Sequence, residues 1–218
     1  MKKILIGTPT YDGKVDTWFA VSLVRTIKQS SSKKIEIDII YPSYDSLIQR
    51  ARNDLVRMAL EGNYDTLFFI DSDTEWEPEW FFRILERPEP IVGGTLVKKS
   101  DIEGYTIKII NKQLKYSSDK ELLEVDGVGT GFLKVDKFAL EKLWLMSEPY
   151  FHDGKDTRMV FDIKIENGDL VSEDYIVCSK WRSLGYKVWV DPTITCNHNG
   201  VKKYKGNIQN FLNKNGFF

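Results

Sequence analysis

The chain has 218 residues, 42% hydrophobic, 29% charged and 13% aromatic, which excludes a disordered or fibrous protein and bounds it to about one domain. Lys and Arg total 31 against 32 Asp and Glu, a net charge of −1 that speaks against a general nucleic-acid binder. No apolar run approaches the ~18 residues of a membrane helix. Two cysteines, Cys178 and Cys196, in no metal-ligand spacing exclude a disulfide framework and make a reducing cytoplasm the expectation.

The first residues, Met1-Lys2-Lys3-Ile4-Leu5-Ile6-Gly7, begin like a signal peptide, but the apolar stretch is too short and Pro9 closes it. Lys3–Gly7 instead reads as a buried strand entering the loop Thr8-Pro9-Thr10. Val15–Gln29 is helical, with Phe19, Leu23, Val24 and Ile27 near one face. Ile35–Tyr41 alternates as a strand and stops at Pro42, and Ser46–Leu60 is a helix stopped by Gly62. Leu67–Ile70 is a third, wholly apolar strand. This alternation predicts an α/β unit with a largely parallel sheet and right-handed crossovers.

The second half is more mixed. A short helix over Glu79–Leu85 and a strand over Ile91–Lys98 come first, then hairpin material, Tyr105–Ile110 and Leu122–Val125, around Asn111. Phe132–Val135 is a strand followed by a helix over Lys137–Leu143. The polar stretch Tyr150–Gly168 reads as a long mobile loop. Glu173–Leu184 is a helix stopped by Gly185, Lys187–Val190 a strand stopped by Pro192, and Asn207–Asn213 a last short helix. The apolar ending Phe211 to Phe218 is expected to dock, or to continue into a longer chain.

The most informative stretch is Thr66-Leu67-Phe68-Phe69-Ile70-Asp71-Ser72-Asp73-Thr74. Two carboxylates stand where a buried strand ends, the place where open α/β sheets bind ligands. A hard divalent cation, Mn²⁺ or Mg²⁺, relieves their mutual repulsion, and phosphate oxygens and water complete its shell. Two enzyme classes use such a pair. Phosphatases of the haloacid-dehalogenase type read strand-Asp-x-Asp-x-Thr, with Asp71 as the nucleophile and Thr74 in pattern. Glycosyltransferases of the GT-A fold use the pair to hold a metal on a nucleotide sugar. The two strand–helix units before the motif favour the transferase, because the phosphatase motif normally lies on the first strand.

Further stretches carry the same resemblance from Gly7 to His198. Gly7-Thr8-Pro9-Thr10-Tyr11 is similar to a first-strand loop that cradles the nucleoside, and Gln49-Arg50-Ala51-Arg52-Asn53-Asp54 to the Arg-Ala-Arg-Asn helix beside the nucleotide. On that helix Arg50 and Asn53 share a face and Arg52 lies off it. Gly127-Val128-Gly129-Thr130-Gly131-Phe132 resembles the Gly-Thr-Gly turn that lines the acceptor side. Ser172-Glu173-Asp174-Tyr175, the strand through Trp189 and Pro192, and Asn197-His198 resemble the Glu-Asp helix start, the next strand and a terminal His.

The chain thus resembles a GT-A glycosyltransferase, close to glycosyltransferase family 2 and to small enzymes of this type encoded by large DNA viruses and phages. That resemblance implies a single catalytic domain, 1–98 forming a Rossmann-like nucleotide-binding half with a mostly parallel sheet and 99–218 a mixed, partly antiparallel acceptor half. It implies Mn²⁺ (or Mg²⁺) on Asp73 and His198, with Asp71 on the ribose or on the metal through water. Thr8, Pro9, Tyr11, Arg50, Arg52, Asn53 and Ser72 would line the nucleotide. Gly129, Thr130, Gly131 and Trp76 would line the acceptor, and Asp174, with Glu173 second, would be the catalytic base. His152 fits no motif. The implied reaction moves a sugar from a nucleoside diphosphate, UDP by expectation, to a hydroxyl of a glycan or glycoprotein, in the host cytoplasm if virus-encoded. A nucleotidyltransferase and a non-catalytic carbohydrate-binding domain remain alternatives beside the phosphatase.

Overall fold

The computed structural model describes residues 1–109, 113–200 and 202–217. In chain order the elements are β1 (Lys2–Gly7), α1 (Thr17–Ser30), β2 (Ile35–Ile40), α2 (Ile48–Glu61), β3 (Thr66–Ile70), β4 (Thr74–Glu75), α3 (Pro78–Glu86) and β5 (Ile91–Leu96). Then come β6 (Ile107–Lys108), β7 (Lys115–Tyr116), β8 (Leu123–Val125), β9 (Gly127–Val128), β10 (Phe132–Asp136) and α4 (Lys137–Met146). Two hairpins follow, β11 (Pro149–His152) with β12 (Lys155–Arg158) and β13 (Lys164–Glu166) with β14 (Asp169–Val171). The chain closes with α5 (Glu173–Ser183), β15 (Val188–His198) and α6 (Ile208–Lys214).

The main sheet runs β2-β1-β3-β10-β5-β15-β8-β7, with β4 added on β15. β1 pairs in parallel with β2 and β3, and β15 with β5. β10 is antiparallel to both β3 and β5, and β8 to both β15 and β7, so the fold is mixed α/β with most strands pointing one way.

Strand periodicity explains the two-sided core. Leu5, Leu67 and Phe69 point into one apolar layer with Leu55 and Val56 of α2, Leu140 and Leu143 of α4, Trp181 of α5 and Leu212 of α6. Their neighbours Ile4, Ile6, Phe68 and Ile70 point into the other, with Phe19 of α1 and Phe81 and Ile84 of α3. With helices on both faces, β3 is apolar throughout and fully buried. Among the described residues no helix is long and apolar enough to cross a membrane.

Four expectations need correction. The segment 150–168 is not a loop but mostly hairpin: Asp153-Gly154 and Asn167-Gly168 all take positive φ, the backbone that tight two-residue hairpin turns require. Pro192 does not end the last strand. β15 runs through it to His198, shifting register between Val190 and Thr195, and such an irregularity tolerates a proline that cannot donate to the ladder. Leu122–Val125 does not pair with Tyr105–Ile110: β8 pairs with β7 and β15, while β6 pairs with β9. Ile110 and Asn111 of that expected hairpin lie outside the described residues. Finally, the boundary at residue 98 divides nothing, because β10 inserts between β3 and β5.

Candidate functional site

The carboxyl ends of β1, β3, β5 and β15 and the beginning of β10 meet at one end of the sheet, and the acidic pair stands there. Asp71 donates its backbone N–H to the Gly131 carbonyl at 3.2 Å, just before β10 begins. A Cβ on Gly131 would fall 2.6 Å from Leu96 Cδ2 and 3.1 Å from Asp71 Oδ2, so only glycine lets this turn approach the carboxylate. Thr74 closes the acidic turn, its N–H on the Asp71 carbonyl at 3.0 Å and its hydroxyl on the Gly131 carbonyl at 3.1 Å.

His198 arrives through the sheet. β4 pairs with the end of β15, setting His198 opposite Thr74, and Asn199 N–H donates to the Asp73 carbonyl at 2.8 Å. His198 Nε2 thereby lies 3.4 Å from Asp73 Oδ1. Its Nδ1 is 3.0 Å from the Val97 carbonyl, which can only accept, so Nδ1 carries a hydrogen. In the neutral ring the Nε2 lone pair then faces a carboxylate oxygen. Two acceptors converging in this way fit a hard divalent cation with two protein ligands and a shell otherwise open to water or phosphate oxygens. Lys99 Nζ bonds the other oxygen, Oδ2. Burial pushes the Asp73 carboxyl up, but hydrogen bonds and charge from His198, in the form that carries a proton on both nitrogens, and from Lys99 outweigh it and hold the group below the usual carboxylate range.

Asp71 does not join that pair. Its Oδ1 accepts from Arg52 Nη2 at 3.0 Å, and Arg52 Nη1 bonds Glu173. Arg52 is 5% exposed and ties α2, the end of β3 and the start of α5 together. Among the described residues no group of three or more His, Cys, Asp or Glu is arranged to hold a metal. The acceptors that converge at the acidic end are those of Asp73 and His198, while Asp71 belongs to the arginine.

At the start of α5 the two acidic residues separate. Glu173 is 9% exposed and bound to Arg52. Asp174 Oδ1 takes both the Ser172 hydroxyl and the Tyr175 N–H, the latter at 2.8 Å. Its Oδ2 lies 3.5 Å from where a Cβ on Gly129 would stand, beside the glycine turn. At the same strand ends, the hydroxyls of Thr8 and Thr130 and the side-chain amide nitrogen of Asn199 are buried with no hydrogen-bond partner among the described residues, a condition that ligands or water usually relieve.

Other expected residues go elsewhere. Arg50 forms a bidentate pair with Asp45, at 2.8 and 2.7 Å. Asn53 is fully buried and exchanges two hydrogen bonds with the Phe161 backbone, at 3.0 and 2.7 Å. The face of α2 that reaches the acidic end thus carries Arg52, not Arg50 and Asn53. Trp76 cannot touch an acceptor: it is 1% exposed, its indole N–H is on Thr26 Oγ1 at 3.0 Å, and its ring packs on Phe19 and Phe132. Thr8 and Pro9 are buried, Ser72 gives its carbonyl to Asp16 N–H, and Tyr11 stands exposed beyond the first strand. His152 Nδ1 lies 2.7 Å from Asp54 on α2. Burial pushes the Cys178 thiol up to about 12 and raises Cys196 as well, so neither is a nucleophile at neutral pH.

Sequence reasoning missed Lys99. Lys98-Lys99 follows an apolar strand and reads as a solvated strand end; its signal was position, since that strand ends beside the acidic turn.

No protein-family model matches the chain, and the search of curated proteins finds no match. Among solved structures the chain is similar to A197 from STIV, with a TM-score of 0.57 at 18% identity over 92% of this chain and 86% of that one. It also matches a glycosyltransferase involved in the glycosylation of the major capsid of PBCV-1, with a TM-score of 0.36 at 15% identity over 63% of this chain and 62% of that one. The first likeness shows a shared fold.

Proposed function

We propose that the chain is a metal-dependent glycosyltransferase of GT-A type that moves a sugar from a nucleoside diphosphate, UDP by preference, to a hydroxyl of a glycan. One observation carries the reading: Asp73 and His198 turn two acceptors toward each other at 3.4 Å, at the strand ends where α/β folds bind nucleotides. A divalent cation bound there would neutralise charge on the departing diphosphate. Asp73 and His198 would hold that cation. Arg52 holds Asp71 and Glu173 in place rather than gripping phosphate, because both its bonds go to carboxylates.

In an inverting reaction Asp174 Oδ2 takes the acceptor proton as the acceptor oxygen bonds to the anomeric carbon. The bond from that carbon to the phosphate oxygen breaks, and its electron pair leaves with the diphosphate. Asp174 suits this role better than Glu173, which is buried against an arginine. The phosphatase alternative loses ground, since its nucleophile, Asp71, is bound by Arg52, and Thr74 serves the backbone of the turn.

The test is slow hydrolysis of a panel of nucleotide sugars with Mn²⁺. One UDP-sugar is expected to turn over, and Asp73→Asn to lower the rate by about 10²-fold or more. Hydrolysis of simple aryl phosphates in place of nucleotide sugars would overturn the assignment.

A further inference from the structure

We propose that Lys99 occupies Asp73 as a built-in competitor of the divalent cation, so that metal loading depends on the diphosphate arriving with it. The inference rests on reading Asp73 and His198 as the cation ligands. The two oxygens of Asp73 are divided between two elements: Oδ1 faces His198 on β15, and Oδ2 is bonded by the Lys99 ammonium from the segment after β5. The lysine is placed by the fold, its stem lying against Gly200, where a Cβ would sit 3.4 Å from Cδ and 3.5 Å from Cε. Its neighbours are engaged in the same way, Lys202 with Asp101 and Lys203 with Glu75.

An ammonium on Oδ2 and a dication on Oδ1 of the same carboxylate repel each other in a partly desolvated corner, so each weakens the other's hold. The side chain of Lys99 is 36% exposed, and a long flexible stem can release its head without disturbing the sheet. Released, the ammonium is free to pair with a diphosphate bound beside the cation. Metal alone therefore works against the Lys99–Asp73 bond, whereas metal with diphosphate gives the ammonium a new partner. The two ligands are thereby coupled, each raising the affinity of the other.

The experiment measures Mn²⁺ affinity by the electron paramagnetic resonance signal of free Mn²⁺, with and without UDP, in the whole chain and in Lys99→Met, Lys99→Arg and Asp73→Asn. An exposed ion pair of this kind is worth about a two- to fivefold change in affinity when removed. Lys99→Met is expected to bind Mn²⁺ about that much more tightly than the parent without UDP, and to gain less from added UDP. Lys99→Arg keeps the charge and stays close to the parent, while Asp73→Asn loses the site. Thermal melts establish that each variant is folded. Unchanged or weaker Mn²⁺ binding in folded Lys99→Met overturns the role of Lys99 and leaves the transferase reading standing. Mn²⁺ binding in neither parent nor Lys99→Met overturns the cation site, and both readings with it. Mn²⁺ behaviour as expected with no nucleotide-sugar turnover overturns the transferase and leaves the competition at Asp73.

Discussion

Arg52 decides what its neighbours can do. With one nitrogen on Asp71 and another on Glu173, its guanidinium bridges two carboxylates and offsets one of their two negative charges. Arg52→Ala leaves both acids without a partner and is expected to cost about 3–5 kcal/mol, read by urea denaturation. Arg52→Lys, a point charge without the planar fork, should recover only part of that loss. A cost below about 1 kcal/mol for the alanine variant would mean that the ion pairs are not formed in solution. The sequence shows that two arginines and an asparagine stand close together on α2, but not which of them faces the site. Asp45 captures Arg50 from outside the helix, and Phe161 captures Asn53 from more than a hundred residues away.

Single elements were largely legible where the pattern was strong. The wholly apolar β3, the helix begun at Pro78 and the stop at Gly185 lie close to where residue types put them. The hairpins of 150–168 lie in a stretch whose polar composition reads as loop, although Asp153-Gly154 and Asn167-Gly168 are turn signals. β10 carries a cost that the sequence does not announce. Lys134 is 2% exposed, and burial, together with the charge of Lys2, lowers its pKa from 10.5 to about 8. Its ammonium donates to the Arg87 carbonyl at 2.5 Å. A base whose folded pKa lies below its unfolded value binds fewer protons when folded, so stability rises as pH climbs from about 8 to 10.5. Below that window the penalty is fully present. Lys134→Met is accordingly expected to stabilise the fold by about 1–3 kcal/mol at neutral pH. The advantage should shrink as the pH approaches 10.5, and equal gains in chemical denaturation at both ends of that range would refute the argument.

Across the whole molecule the first and second parts of the chain are one structure. β10 stands between β3 and β5, and β15 covers the other edge of β5, so residues 1–98 alone would expose two strands that are fully buried in the complete sheet. A fragment ending at residue 98 is expected to lack a cooperative thermal transition and to aggregate, as bare apolar strand edges do. A sharp melt for that fragment would show the two parts to be independent.

The same threading separates what sequence alone determined from what needed three dimensions. Composition, hydrophobic period and punctuation determined an α/β protein and placed an acidic pair after its third strand, because these are local properties of backbone and side chains. Which groups reach that pair was decided only by strand order. His198 arrives because two residues of β4 pair with the far end of β15, and Lys99 because β5 lies beside that strand. Contacts between residues so far apart in the chain are set by how strands pack between layers of helices, and no spacing in the sequence encodes them.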